Sequence, residues 1–160
     1  MIIGYKTPLP VTIYFSESTL ETPWQKTAWC LDGVMTAKTQ DCFDEERPEN
    51  TSTVYTSVGT RFRIVRWNGL HVRLERSSCQ AYYDNLSSPT PKIFVICQAD
   101  PEGKPRPFLV TFDLTEAEAC MEAGEQVYSC PLVPDLYLLL EKYVVENYIP
   151  TIPAKRQRIP

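Results

Sequence analysis

The sequence predicts a single α+β domain with a mostly antiparallel sheet and about three helices, the longest at the C-terminus. Of the 160 residues, 43 % are hydrophobic and 22 % charged, enough apolar material for one buried core. The 14 prolines leave three proline-free windows, at 49–88, 108–130 and 135–149. Because proline is excluded from helix interiors and central strands, these windows mark regular elements. We expect the domain to span 1–150 and a basic, flexible tail to follow over 151–160.

Two strands are predicted before the first window. Residues 11–15 are β-branched and aromatic, which is typical of a strand. Residues 24–36 predict a second strand, bent at Gly33. The acidic run at 41–50 contains Pro48 and predicts an exposed loop.

Within the first window, Asn68-Gly69 predicts a β-hairpin. Asn-Gly readily adopts the positive φ angles of a tight turn, and apolar runs flank it at 62–67 and 70–74. Alternation after the turn places His71, Arg73 and Glu75 on the polar face. The register stays open, because a two-residue and a three-residue loop place different residues of the first strand on the apolar face.

A short helix is predicted after the hairpin, capped by Ser77 or Ser78 and running to Leu86. The continuous apolar run at 92–97 is typical of a strand buried on both faces. A further strand is predicted at 108–112.

The last third predicts two helices separated by a short strand at 127–130. Thr115 and Glu118 match a capping box, and Gly124 is a natural left-handed end for that helix. Pro134 begins the longest helix, which runs to about Tyr148. Its core stripe follows helical spacing and comprises Leu136, Leu139, Leu140, Tyr143 and Val144.

Composition excludes several chemistries. The net charge of −4 argues against a general nucleic-acid binder. With one histidine, His71, and six cysteines of which none are two to four residues apart, we expect no metal site, no cofactor and no catalytic residue. Cys97 and Cys120 have the pattern of buried small hydrophobes. No apolar stretch is long enough for a signal peptide or a membrane span, so a cytoplasmic protein with reduced thiols is expected.

Two surfaces are candidate partner-binding sites. The first is arginine-rich and centres on Arg63, Arg66 and Arg73, where guanidinium groups suit carboxylate or phosphate contacts; a solvated sheet face is the alternative. The second is the last helix, which is apolar nearly all round and is therefore either deeply buried or an interface. Beyond the core stripe, its candidate residues are Tyr137, Leu138, Val145 and Tyr148, joined by Lys155, Arg156 and Arg158 of the tail.

An ordered series of short motifs runs along the chain. It comprises Pro23-Trp24-Gln25 with Trp29, Tyr83-Asp84-Asn85-Leu86, Pro91-Lys92-Ile93-Phe94-Val95, Arg106-Pro107, Val110-Thr111, Glu116-Ala117, Glu125-Gln126-Val127, Pro131, Pro134 and Val144-Val145-Glu146-Asn147-Tyr148. The series covers most of 8–158. It resembles a bacterial domain-of-unknown-function family of small proteins encoded beside molybdenum-dependent formate dehydrogenase genes.

The resemblance implies a non-catalytic accessory or assembly protein that acts by protein–protein binding. The implied partner is a subunit or maturation factor of formate dehydrogenase or of a related molybdenum or tungsten enzyme. A permanent small structural subunit of such a complex is one alternative. From the residues alone, a nucleic-acid or phosphate-ligand binding module that uses the arginine-rich hairpin is another.

Overall fold

A computed structural model describes residues 8–19, 28–37, 49–57, 60–101 and 103–149. In this part of the chain the elements are β1 (Leu9–Thr19), β2 (Ala28–Thr36), β3 (Glu49–Ser57), β4 (Thr60–Val72), a 3-10 turn (Arg76–Ser78), α1 (Cys79–Ser87), β5 (Lys92–Ala99), β6 (Pro105–Thr111), α2 (Leu114–Glu122), β7 (Gln126–Pro131) and α3 (Pro134–Asn147). The predicted flexible tail, Trp24 and most of the predicted acidic loop lie outside the described residues.

The strands form one mixed sheet in the order β2-β1-β4-β6-β5-β7, and β3 also pairs with β4. Neighbouring strands are antiparallel except β4 and β6, which run parallel through the pair Val72–Val110. The outermost strands of this path, β2 and β7, contact each other, so the sheet curls nearly into a barrel. A mixed sheet with three helices fits the predicted α+β class.

Asn68-Gly69 lies inside strand β4 and forms a bulge, so the predicted hairpin turn at this dipeptide is wrong. The pairing register with β1 shifts here, and Thr12 alone faces the two residues. Gly69 does adopt the expected positive φ, at 86°. Asn68 is buried and accepts a hydrogen bond from Thr12 Oγ1 at 3.3 Å. The same left-handed glycine conformation occurs both in tight hairpin turns and in β-bulges. The Asn-Gly dipeptide alone therefore does not distinguish a hairpin turn from a bulge.

Strand β5 is buried on both faces, as its continuous apolar run predicts. One face contributes Ile93, Val95 and Cys97 to the main core, which the curled sheet forms with α1 and α3. The other face places Phe94 and Ile96 in a smaller core under α2. The strand therefore separates two apolar layers, and this explains why it carries no polar alternation.

Helix α2 is capped by Asp113, and the predicted Thr115–Glu118 capping box is wrong. One carboxylate oxygen of Asp113 accepts hydrogen bonds from the backbone N–H groups of Thr115 at 2.8 Å and Glu116 at 3.3 Å. Thr115 already lies inside the helix. The predicted end at Gly124 is confirmed, since this residue has a φ of +90° and its N–H donates to the Met121 carbonyl.

Helix α3 has 14 residues and carries Pro134 in its first turn, as predicted. Four residues of the predicted core stripe are buried and the fifth, Leu139, is partly buried. None of the described helices combines the length and the apolar character that crossing a bilayer requires.

Candidate functional site

Helix α3 presents large apolar side chains to solvent opposite its buried stripe. Leu138 is 59 % exposed and Val145, seven residues later and hence on the same face, is 77 % exposed. Ile149, just beyond the helix end, is 86 % exposed. We call these three residues the α3 outer face. Scattered apolar residues are ordinary on protein surfaces, but Leu138 and Val145 on one face of α3, followed by Ile149 just after its end, indicate a contact surface.

The two tyrosines that the sequence grouped with this surface are less accessible. Tyr137 is partly buried. The ring of Tyr148 stacks on that of Tyr83 in α1, with centroids 5.1 Å apart and planes 5° apart. The Tyr148 hydroxyl also donates a hydrogen bond to Gln80 Oε1. Tyr148 therefore helps to fix α3 against α1.

Asn147 makes two hydrogen bonds at the C-terminal end of α3, beside Tyr148. Its Oδ1 accepts a hydrogen bond from Arg76 Nε at 3.1 Å, and its amide nitrogen donates to the Tyr143 carbonyl at 2.9 Å. Arg76, three residues after the candidate Arg73, thus serves the packing of α3. The C-terminal end of α3 is therefore held against α1 and against the turn that carries Arg76.

The family match spans every element described above. A family model described as a protein of unknown function, DUF3305, matches residues 10–158. The chain belongs to this family. Neither curated proteins nor solved structures yield a match. The resemblance to a family of unknown function is therefore confirmed at that level.

In the DUF3305 chain the candidate arginines do not face one another across a hairpin, because β4 is continuous. Arg66 is half-buried within β4, and its Nε is buried without a hydrogen-bond partner in the described part of the chain. Arg73 is exposed beyond the strand end. Arg63 belongs to β4, but its side chain is not among those described. Lys155, Arg156 and Arg158 also lie outside the described residues.

The polar alternation after the bulge is confirmed, since His71, Arg73 and Glu75 are all exposed while Val72 is buried. The three exposed side chains line a cleft of about 280 Å³ where β4 meets β6, and Tyr82 lies in its wall. The Tyr82 hydroxyl accepts a hydrogen bond from the Glu75 backbone N–H at 3.2 Å. His71 is therefore placed beside charged groups and a hydroxyl that already has a structural role.

Burial makes several thiols of the DUF3305 domain weak nucleophiles. Desolvation raises the pKa of Cys97 from 9.0 to about 12 and that of Cys130 to about 11. It also raises the pKa of Cys79 and Cys120. Thiols with raised pKa stay protonated near neutral pH, and the thiolate is the reactive form. Cys30 is exposed, and no three potential metal ligands converge in the described residues.

A second cleft, of about 520 Å³, lies beside the Gly69 bulge and was not predicted from the sequence. It is lined by Trp67, Asn68, Gly69, Leu70, His71, Arg106 and Pro107. Arg106 and Pro107 were part of the motif series, but β6 lies far from β4 in sequence. Only the parallel pairing of these two strands brings Arg106 to the bulge.

Proposed function

We propose that this DUF3305 protein is a non-catalytic accessory protein that binds a partner through the α3 outer face. The observation that carries the proposal is the exposure of Leu138 and Val145 on a helix whose opposite side is buried and whose C-terminal end is fastened to α1. The partner class, a subunit or maturation factor of formate dehydrogenase or of a related molybdenum or tungsten enzyme, rests on the resemblance of the motif series.

Burial of the α3 outer face would supply binding free energy. Covering a large aliphatic side chain is worth about 1.5–3 kcal/mol. Exposed carboxylates at Glu141 and Glu146 flank the apolar residues. A small apolar centre with a charged rim is the usual anatomy of a protein–protein interface.

Two buried thiols support a non-catalytic role. Those of Cys97 and Cys130 are both buried and held protonated by desolvation, so they are poor candidates for nucleophiles. The exposed His71 lies among an arginine and a glutamate on the sheet surface. The proposed role therefore depends on the fit between the α3 outer face and a partner protein, and not on a reactive side chain.

Affinity capture from the native organism tests both the surface and the partner. The tagged wild-type protein should recover a molybdoenzyme subunit or a maturation factor, and Val145→Glu should lose it. Met121→Glu is the matched control, because Met121 is a 58 % exposed apolar residue on a different helix. Recovery of no molybdoenzyme component by the wild type would contradict the partner, and equal recovery by Val145→Glu would contradict the surface.

The same capture separates a helper from a permanent subunit. A permanent small subunit would co-purify in equal amounts with the mature, active enzyme, whereas an assembly factor would be enriched with the immature form. The nucleic-acid alternative depended on an arginine-rich hairpin face, and the continuous strand β4 does not form that hairpin.

A further inference from the structure

We propose that the cleft beside the Gly69 bulge binds a small oxyanion of the carboxylate or phosphate class. We call it the bulge cleft; its lining is that given above. The proposal is independent of the α3 outer face, since the two surfaces share no residue. Three observations carry it: an unpartnered buried donor, the charge of the lining, and the open backbone at Gly69.

Trp67 supplies the unpartnered donor. Its side chain is only 3 % exposed, and its indole Nε1 has no hydrogen-bond partner in the described part of the chain. A buried tryptophan N–H usually finds an acceptor, because leaving a polar group both dehydrated and unpaired is unfavourable. Trp67 is also one of the residues that line the bulge cleft, so the unpaired N–H belongs to a side chain at the wall of this cleft.

The ionisable lining of the bulge cleft consists of His71 and Arg106, and no carboxylate is among its described lining residues. Lys104 adds positive charge nearby, with its Nζ 5.5 Å from the centre of the Trp67 ring. Desolvation and then the charge of Arg106 lower the pKa of Lys104, while Glu17 acts in the opposite direction. The smaller of the two lowering causes is repulsion between Arg106 and Lys104, and an anion close to both groups would be attracted to them.

Gly69 leaves the floor of the bulge cleft open. No described atom outside its immediate neighbours lies within 4 Å of the position that a Cβ would take at this residue. A glycine at a bulge therefore allows a ligand to approach the backbone closely, which a side chain would prevent. Trp67 and His71, which lie on either side of the bulge in sequence, both line this cleft.

The chemistry of Arg106 and Trp67 predicts the class of ligand. An arginine guanidinium presents paired N–H donors that match the two oxygens of a carboxylate or phosphate. An indole N–H donates but does not accept a hydrogen bond, so it also requires an acceptor. A cationic ligand would be repelled by Arg106, whereas an anionic one would be attracted to it.

Nuclear magnetic resonance of the full chain tests the proposal through the indole N–H signals. The chain has three tryptophans, and Trp67→Phe identifies the signal of Trp67. Inorganic phosphate and acetate are titrated separately at constant ionic strength, with chloride as the reference salt. We expect phosphate, acetate or both to move the Trp67 signal saturably, with chloride inert. Movement with one alone identifies the phosphate or the carboxylate class.

Two charge-removing variants complete the test. Arg106→Gln should weaken the binding at least about tenfold, the scale of losing one charge-assisted contact. Lys92→Gln removes one charge from an exposed position at the start of β5 and should leave binding unchanged. Arg106 and Lys92 are both exposed, so we expect these two variants to fold like the wild type. Their comparison therefore remains valid even if Trp67→Phe fails to fold. The proposal is overturned if the Trp67 signal stays fixed up to about 10 mM anion, well into the range of weak affinity, if chloride moves it equally, or if the two variants weaken binding alike.

Discussion

The side chain of Asn85 and the backbone of Lys92 are hydrogen-bonded to each other in both directions. The Asn85 amide nitrogen donates to the Lys92 carbonyl at 2.7 Å, and the Lys92 N–H donates to Asn85 Oδ1 at 2.9 Å. The same amide nitrogen also donates to the Phe112 carbonyl at 3.0 Å. One buried side chain therefore ties the end of α1 to the start of β5 and the end of β6.

Replacing this side chain should destabilise the whole domain. Asn85→Leu has a similar volume but leaves backbone groups of Lys92 and Phe112 without partners, so we expect a loss of about 3 kcal/mol in the free energy of unfolding. Urea denaturation measures it. Ser87→Ala, at an exposed position of the same helix, should change stability by no more than about 0.5 kcal/mol. A loss below about 1 kcal/mol for Asn85→Leu would contradict the anchoring role.

The cap of α2 can be tested by two neighbouring substitutions. Asp113→Ala removes the acceptor of two backbone N–H groups and should cost about 1 kcal/mol. Thr115→Ala should cost much less, because the Thr115 side chain is exposed and lies inside the helix. Thermal or urea unfolding of the two variants distinguishes them, and a larger loss for Thr115→Ala would restore the capping box that the sequence suggested.

The orientation of α3 predicts opposite outcomes for two leucines. Leu140 is fully buried, so Leu140→Ala should cost about 3 kcal/mol in the free energy of unfolding. Leu138→Ala should change it by no more than about 0.5 kcal/mol, since that side chain is mostly in solvent. Denaturant titration of the purified variants checks this, and similar losses at both positions would show that the α3 outer face is covered in the free protein.

Stability should fall in alkali because of Cys97. Burial raises the pKa of this thiol from 9.0 to about 12, so the folded chain keeps a proton that the unfolded chain releases. The stabilisation is fully present below pH 9 and is lost as the pH rises toward 12. The free energy of unfolding should decrease by up to about 1.4 kcal/mol per pH unit from this group.

Cys97→Ala isolates that contribution from the tyrosines, which titrate in the same range. The variant should have a shallower loss of stability above pH 9 than the wild type, whatever its stability at neutral pH. Urea unfolding at a series of pH values gives both slopes. Equal slopes would show that the Cys97 thiol ionises as readily in the folded chain as in the unfolded one.

The elements with long, self-consistent patterns were predictable from the sequence. The apolar run of β5 and the helical spacing of α3 each specify one periodicity over many residues, and the structure has both elements near the predicted bounds. Strand β3 was not identified, although its threonines, Val54 and Tyr55 are typical strand residues. In that window the Asn68-Gly69 dipeptide is the stronger local signal, and the strand pattern of β3 is weaker.

The bulge and its cleft depend on distant parts of the chain. Asn68 meets its hydrogen-bond partner Thr12 across 56 residues, and local propensity does not contain that pairing. The parallel contact that brings Arg106 to the bulge is equally non-local. By contrast, Leu138 and Val145 were identified as candidates from helical spacing alone. The sequence could not separate them from Tyr148, because the stacking on Tyr83 is a tertiary contact.

The single residue pair that joins β4 to β6 has a mechanical consequence. On one side of it, β1, β2, β3 and β4 form an antiparallel group with extensive backbone pairing, and on the other β5, β6 and β7 form a second. Among the residues that the structure describes, Val72 and Val110 are the one pair across this boundary. Opening along this seam breaks far fewer backbone hydrogen bonds than unfolding either group. The main core contains residues of both groups, so apolar packing and not backbone pairing holds the two halves of the sheet together at this boundary.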